Sequence, residues 1–300
     1  MRSYGDADYF FSSVSLEVLS DDDSEPVLGV VGRFIKDGKL TREQVYKDGE
    51  LQRNRRSMQS SPSALFVLVL NNHRLIYVKE TPDAPSKSAF RSTLHSFLKQ
   101  VHKEFVKENF AFIDENIDSR EERKAAKDEF SARFPPPTLQ VIALSTEDSV
   151  EKFISRYDVL KQIKITFTET NDESPMGKFF AKLKESKEAI DSEATSIIHR
   201  AKGGLDKEEA VAQVSSATEQ GINSVTLRGI DEGGDILLGN NEKFQLKKPV
   251  EDLSDNPVEA AKEMYETFAD LVKTGVVKVD KTKVAAKKLL RAIRRKLIDE

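Results

Sequence analysis

The sequence predicts an α+β protein of two domains, with mixed or antiparallel sheets backed by helices and a helical C-terminus. Three observations predict it. A β-hairpin signal precedes a long amphipathic helix; the triple proline Pro135-Pro136-Pro137 is followed by alternating short strand and helix patterns; and two amphipathic helices lie beyond residue 255. A length of 300 residues fits about two domains. The expected division is an N-terminal α+β domain over 1–136, a second α+β domain over 137–255, and C-terminal helices over 256–300 packing on the first domain or on a dimer partner.

The elements follow in order. Residues 9–18 suit a strand, Asp21-Asp22-Asp23 marks an acidic turn, and Arg53-Asn54-Arg55-Arg56 reads as part of a polar loop. Residues 65–70 form a continuous apolar strand, Asn71-Asn72 is turn chemistry, and 75–78 return. Ser86 or Ser88 caps a helix whose stripe is Phe90, Leu94, Phe97, Leu98, Val101 and Phe105. A polar helix over 120–130 follows, and the prolines then stop regular structure.

Beyond them, 139–145 reads as a strand, 148–157 as a short helix, and 163–167 as a strand with Ile163, Ile165 and Phe167 on one face and Lys164 and Thr166 on the other. Pro175 opens a helix bearing Met176, Phe179, Phe180 and Leu183. A strand at 195–199 and a helix at 207–217 come next, then strands at 224–230 and 235–238 joined by the Gly233-Gly234 turn. Asn256 caps a helix with Pro257 in its first turn and Gly275 at its end. The last helix, 281–297, is expected to bury Ala286, Leu289, Leu290, Ile293 and Leu297 and to expose Lys287, Lys288, Arg291, Arg294 and Arg295.

Composition removes several classes. The 38% of apolar residues is enough for a core, and the absence of cysteine excludes disulfides, thiolate metal sites and a cysteine nucleophile. The best apolar run, 64–70, is strand-sized, far short of the roughly 18 residues of a membrane span. The opening Met1-Arg2-Ser3-Tyr4-Gly5-Asp6 has no apolar segment, so a cytoplasmic protein without direct membrane insertion is expected. The net charge of −4 is uneven: residues 273–300 hold ten Lys/Arg and three acids, leaving 37 basic and 48 acidic residues elsewhere. Such asymmetry points to an anionic partner, although a solvated amphipathic helix has the same composition.

Catalytic constellations are missing. There is no G-x-x-x-x-G-K-[ST] loop, no G-x-G-x-x-G after a strand and no H-E-x-x-H, so no enzyme activity, cofactor or metal is expected. His95 and His102, seven apart, share one side of a helix with Lys99 and Lys103, whose charges oppose a metal, and read as structural; His73 sits at a hairpin tip. The remaining signal is basic. Lys164, Arg200 and Arg228 each alternate with apolar neighbours, and if their strands share a sheet they converge opposite its buried face. Cations on a rigid surface meet backbone phosphates without reading bases, and the lack of interleaved aromatics favours duplex over single strands.

The run Leu227-Arg228-Gly229-Ile230-Asp231-Glu232-Gly233-Gly234-Asp235-Ile236-Leu237 resembles an L-R-x-x-D-E-x-G-D-I-L run of the RexA family, the superinfection-exclusion proteins of phage lambda type. Ile163-Lys164-Ile165, the hairpin opened by Ser63-Ala64-Leu65-Phe66-Val67 and the helix from Asn256 to Phe268 are similar to further segments in the same order, over about 61–271. The resemblance implies a two-domain homodimer that binds double-stranded DNA without sequence specificity. It also implies a sensor of invading-phage DNA that activates a RexB-like membrane channel partner. Arg228 matches a basic position that the family uses for DNA; the second such position is Ile230 here, where Lys164, Arg200 or Lys202 compensates. The basic last helix lies beyond the family's end, and Lys288, Arg291 and Arg295 are its candidate contacts. Two other classes fit the residues: a metal-dependent nuclease using Glu169, Asp172 or Glu173, and a non-DNA-binding dimeric interaction module with the terminal helices as its seam.

Overall fold

A computed structural model of the chain describes residues 1–22, 25–167, 195–218, 223–250, 253–279 and 282–299, with Gly221 and scattered positions from 182 to 194. The described residues hold α-helices and antiparallel strand pairs in two sheets, with a helical C-terminus, so the chain is α+β. Its contacts group into two compact units, one of 1–16, 30–67 and 77–141, the other of 17–29, 68–76 and 142–300.

The first sheet has the strand order β1-β2-β3-β5-β6, with β4 pairing only β3. These strands are β1 (Arg2–Tyr4), β2 (Ala7–Ser20), β3 (Val27–Lys47), β4 (Glu50–Ser60), β5 (Ser63–Val69) and β6 (Arg74–Lys79). Rings hold it to α1 (Lys87–Asn116): Phe90 stands 5.4 Å from Phe11, 5.5 Å from Phe34 and 5.1 Å from Phe66 by ring centroids. Edge-to-face contacts of this kind add to the area that the rings bury. Ser86 is the cap, accepting from the Ala89 amide at 3.2 Å.

Only the front of the expected α1 stripe is buried. Phe90 is 2% exposed but Val101 is 63% exposed, because a helix of 30 residues outruns the sheet beneath it. The rear half meets α2 (Arg120–Arg133), with Phe105 5.4 Å from Phe130 and from Phe134. His95 and His102 stitch α1 to the chain beyond α2: their Nε2 atoms donate to the carbonyls of Pro137 and Phe134, each at 3.0 Å. At the β5–β6 turn His73 has φ of +53°, and Asn71 accepts from the Leu28 amide while donating to the Pro26 carbonyl.

Two expectations are corrected. Arg53 to Arg56 belong to strand β4, not a loop; these polar side chains carry little strand propensity, and pairing with β3 decides their conformation. Residues 139–145 form no strand: single bonds hold the segment, from the Leu246 amide to the Leu144 carbonyl and from the Ser145 hydroxyl to that of Thr218. Period-two burial there reflects packing without a ladder. The expected helix with Pro175, Met176, Phe179 and Phe180 lies outside the described residues.

The second sheet is β10-β9-β7-β8, antiparallel throughout. It comprises β7 (Tyr157–Phe167), β8 (Thr195–Arg200), β9 (Asn223–Asp231) and β10 (Ile236–Asn240). Helices α3 (Glu147–Ile154) and α4 (Lys207–Thr218) share a core with it that includes Val150, Ile154, Val214, Ile163, Ile165, Val225 and Leu227. Then come α5 (Pro257–Lys273), capped by Asn256, and α6 (Val284–Asp299). In α6 Leu290 is buried as expected but Leu289 is 62% exposed, a correction. Lys287 and Arg294 are also not free, since Glu25 and Asp21 pair with them at 2.8 and 2.5 Å.

Phe90→Ala removes the ring that the contacts with Phe11, Phe34 and Phe66 share and is expected to cost about 3–5 kcal/mol. Urea unfolding followed by circular dichroism measures it.

Candidate nucleic-acid interface

One face of the second sheet is buried in the core, and on the other the described side chains are exposed or half-buried. Along β9 the residues Val225, Leu227 and Gly229 are buried while Ser224, Thr226 and Arg228 are exposed. Along β7 the same alternation places Gln162, Lys164 and Thr166 opposite Ile163, Ile165 and Phe167. Along β8, Ser196, Ile198 and Arg200 are the exposed set.

Register brings the cations together. Gln162 of β7 is the cross-strand partner of both Arg228 and Arg200, and Lys164 is that of Thr226 and Ile198. The strand spacing puts the Arg228 and Arg200 backbones about 10 Å apart, with Lys164 about 8 Å from each. Gln162 orients the outer member, accepting from Nε of Arg200 at 2.9 Å. Arg228 and Lys164 have no hydrogen-bond or ion-pair partner among the described residues. No acidic side chain stands on this face along Gln162–Thr166, Ser196–Arg200, Ser224–Arg228 or Ile236–Asn240. Arg228 and Arg200 are exposed and Lys164 is half-buried, with no acidic counter-charge on these stretches of the face among the described residues.

The motif around Arg228 divides into structural positions and exposed side chains, Arg228 among them. Leu227 is core. At Gly229 a Cβ would stand 2.3 Å from the Val159 carbonyl oxygen, so only glycine lets β9 approach the irregular start of β7. Asp231 closes the hairpin: its carboxylate accepts from the Gly233 and Asp235 amides, each at 3.0 Å, and Gly234 has φ of +85°. Arg228 serves no packing or turn purpose, and Glu232 and Ile236 are likewise exposed. Gly239, on the same core side of β10, would press a Cβ 2.3 Å from the Phe153 ring.

The other expected residues lie apart from this row. Lys202 is exposed in the loop after β8, two residues beyond Arg200. Lys288, Arg291 and Arg295 are exposed on α6. Glu169, Asp172 and Glu173 lie outside the described residues, and no cluster of three potential metal ligands occurs among the described ones. No described helix is long and apolar enough to cross a membrane. Sequence parity missed Gln162 as the residue between the two arginines; its polar side chain on an alternating strand was the available signal. Ile198 and Leu238, which are 45% and 62% exposed, add apolar surface across from Lys164 and Arg228.

The arrangement has the character of an open-faced antiparallel sheet presenting cations, a class defined by geometry alone. No family model, curated protein or solved structure matches the chain.

Asp231→Ala removes the acceptor of two turn amides and is expected to destabilise the hairpin by about 1–2 kcal/mol. Amide exchange of Gly233 and Asp235, followed by NMR, should accelerate while exchange in α1 is unchanged.

Proposed function

We propose that the open face of the second sheet binds double-stranded DNA through its phosphates, irrespective of base sequence. The observation that carries this reading is the set Arg228, Lys164 and Arg200 brought together on strand stretches that hold no acidic side chain, Gln162–Thr166, Ser196–Arg200 and Ser224–Arg228. A duplex offers a dense line of negative charge, and each cation that meets a phosphate releases condensed counterions. The strands hold these side chains in place before binding, so little backbone ordering is required. No aromatic side chain stands among them, which favours contact with a backbone over stacking on unpaired bases. Lys202, in the loop after β8, adds a cation outside the row, and Lys288, Arg291 and Arg295 supply a further basic helix face.

The resemblance of the 227–237 run to the RexA family supports a biological setting for this binding. In that setting the chain is a non-catalytic, cytoplasmic DNA sensor of a prophage-encoded superinfection-exclusion system. It works as a homodimer in the bacterial host, and its output is a RexB-like membrane channel protein. A four-span membrane protein encoded beside this chain would support that assignment.

Fluorescence anisotropy with several unrelated duplexes is expected to give affinities within a few-fold of one another, falling steeply with salt. Arg228→Ala should weaken every duplex alike and reduce the slope of log K against log salt by about 0.9. Strong preference for one sequence, or an Arg228→Ala/Lys164→Ala protein that binds as the parent does, overturns the reading.

A further inference from the structure

Strands β3 and β4 continue past the first sheet as a ribbon of their own. The root is clamped: Asp37 accepts from the Ser61 hydroxyl and the Gln59 amide, each at 2.7 Å, and these bonds hold its carboxyl below the ordinary aspartate range. At Gly38 a Cβ would stand 3.1 Å from both Ala7 Cβ and the Asp6 carbonyl oxygen, so the last support from the β1–β2 turn reaches this point. Beyond it β4 pairs with β3 and no other strand, and every residue of 39–47 and 50–59 is exposed except Val45 and Asn54, which are half-buried. From Gly38 to Lys47 the ribbon reaches about 30 Å.

The two faces of this ribbon differ. Cross-strand pairs Arg42↔Arg56 and Gln44↔Arg53 share a face because a register shift lies between them, with Asn54 and Arg55 together opposite Glu43. Without that bulge, Arg53 and Arg56, three apart, would point to opposite sides. The same face holds the pairs Leu40↔Met58 and, at the far end, Tyr46↔Leu51, the last two being 74% and 71% exposed. It has no acid. The reverse face mixes Lys39, Glu43, Lys47, Glu50 and Arg55, and Glu43 pairs with Arg55 at 3.4 Å. Arg53 and Arg56 have no ion-pair or hydrogen-bond partner among the described residues, and Arg42 donates to the Asn54 side chain at 3.0 Å.

A long ribbon with exposed apolar and cationic side chains on one side is an association surface. Its charge selects the occupant. A second copy would bring three guanidinium groups against three more, whereas a duplex brings phosphates on both walls of a groove about 12 Å wide that admits a two-stranded ribbon. We infer that the β3–β4 ribbon is a second duplex-DNA contact, lying along a groove with Arg42, Arg53 and Arg56 on the phosphates and Tyr46 and Leu51 toward the base edges. The inference rests on the duplex reading above and adds a site that the sheet face does not include.

Three proteins decide it, with the full chain in each case and thermal melts as the folding control. Arg42→Gln/Arg53→Gln/Arg56→Gln is expected to bind unrelated duplexes about tenfold or more weakly, with a salt slope shallower by about 2–3. Tyr46→Ser/Leu51→Ser should weaken binding while leaving the salt slope unchanged. Because the parent chain has no cysteine, Tyr46→Cys accepts a single environment-sensitive dye. Its signal should saturate at the same duplex concentration as the anisotropy. Parental affinity of the triple-arginine protein, or a silent dye, overturns the inference while leaving the sheet reading intact. A triple-arginine loss with a parental Arg228→Ala/Lys164→Ala protein keeps the ribbon and removes the sheet. Loss of affinity that tracks dissociation in sedimentation makes the ribbon a self-contact and also overturns the inference.

Discussion

The candidate site depends on the unequal wetting of one sheet. Successive residues of a strand point to opposite sides, so burying Ile163, Ile165, Val225 and Leu227 in the core shared with α3 and α4 obliges Lys164, Thr226 and Arg228 to face water. The apolar contacts stabilise the fold, and they also hold the charges apart from one another at spacings fixed by strand separation. A slip of one residue in any of these strands would bury a cation without a partner, which is far more costly than losing a packed methyl group. Register is thus protected by the very side chains that define the open face.

Glycine and turn chemistry maintain that geometry where β7 is irregular. The pairing of β7 with β9 shifts twice near its start, between Tyr157 and Val159 and again between Leu160 and Gln162. Gly229 accommodates the resulting close approach, and the Asp231 carboxylate anchors the hairpin beyond it. Leu160 is fully buried as a consequence, although strict alternation from Ile163 would place it on the wet side with Lys164. The buried Tyr157 hydroxyl lies near the same irregularity, and burial pushes its pKa up to about 12, so it stays neutral throughout the physiological range.

The two basic surfaces use different mechanics. Arg228, Lys164 and Arg200 sit on strands with a hydrophobic core behind them, which limits how far the backbone adapts to a ligand. The β3–β4 ribbon is anchored at one end by the Asp37 bonds and is wet on both faces, so its arginines follow a curved surface more readily. On α6, by contrast, Lys287 and Arg294 already have partners in the 21–25 segment, and only part of the helix's charge remains directed outward. Counting basic residues along a sequence therefore overstates what a helix offers to an anion.

Local periodicity determined a large part of this protein. The β5–β6 hairpin, the Ser86 and Asn256 caps, and the parity of Lys164 against Ile163 and Ile165 all follow from interactions between residues close in sequence, and the α+β class is read from their succession. Such contacts are short-ranged and leave a pattern that a linear reading can follow. Tertiary structure decided the rest. It made a strand of Arg53 to Arg56, left 139–145 without a ladder, set the bulges of β4 and β7, and consumed Lys287 and Arg294 in ion pairs with residues far back in the chain. Those outcomes turn on which distant segment supplies the hydrogen-bond or charge partner, and that choice is made by the global packing of apolar surface rather than by any neighbouring residue.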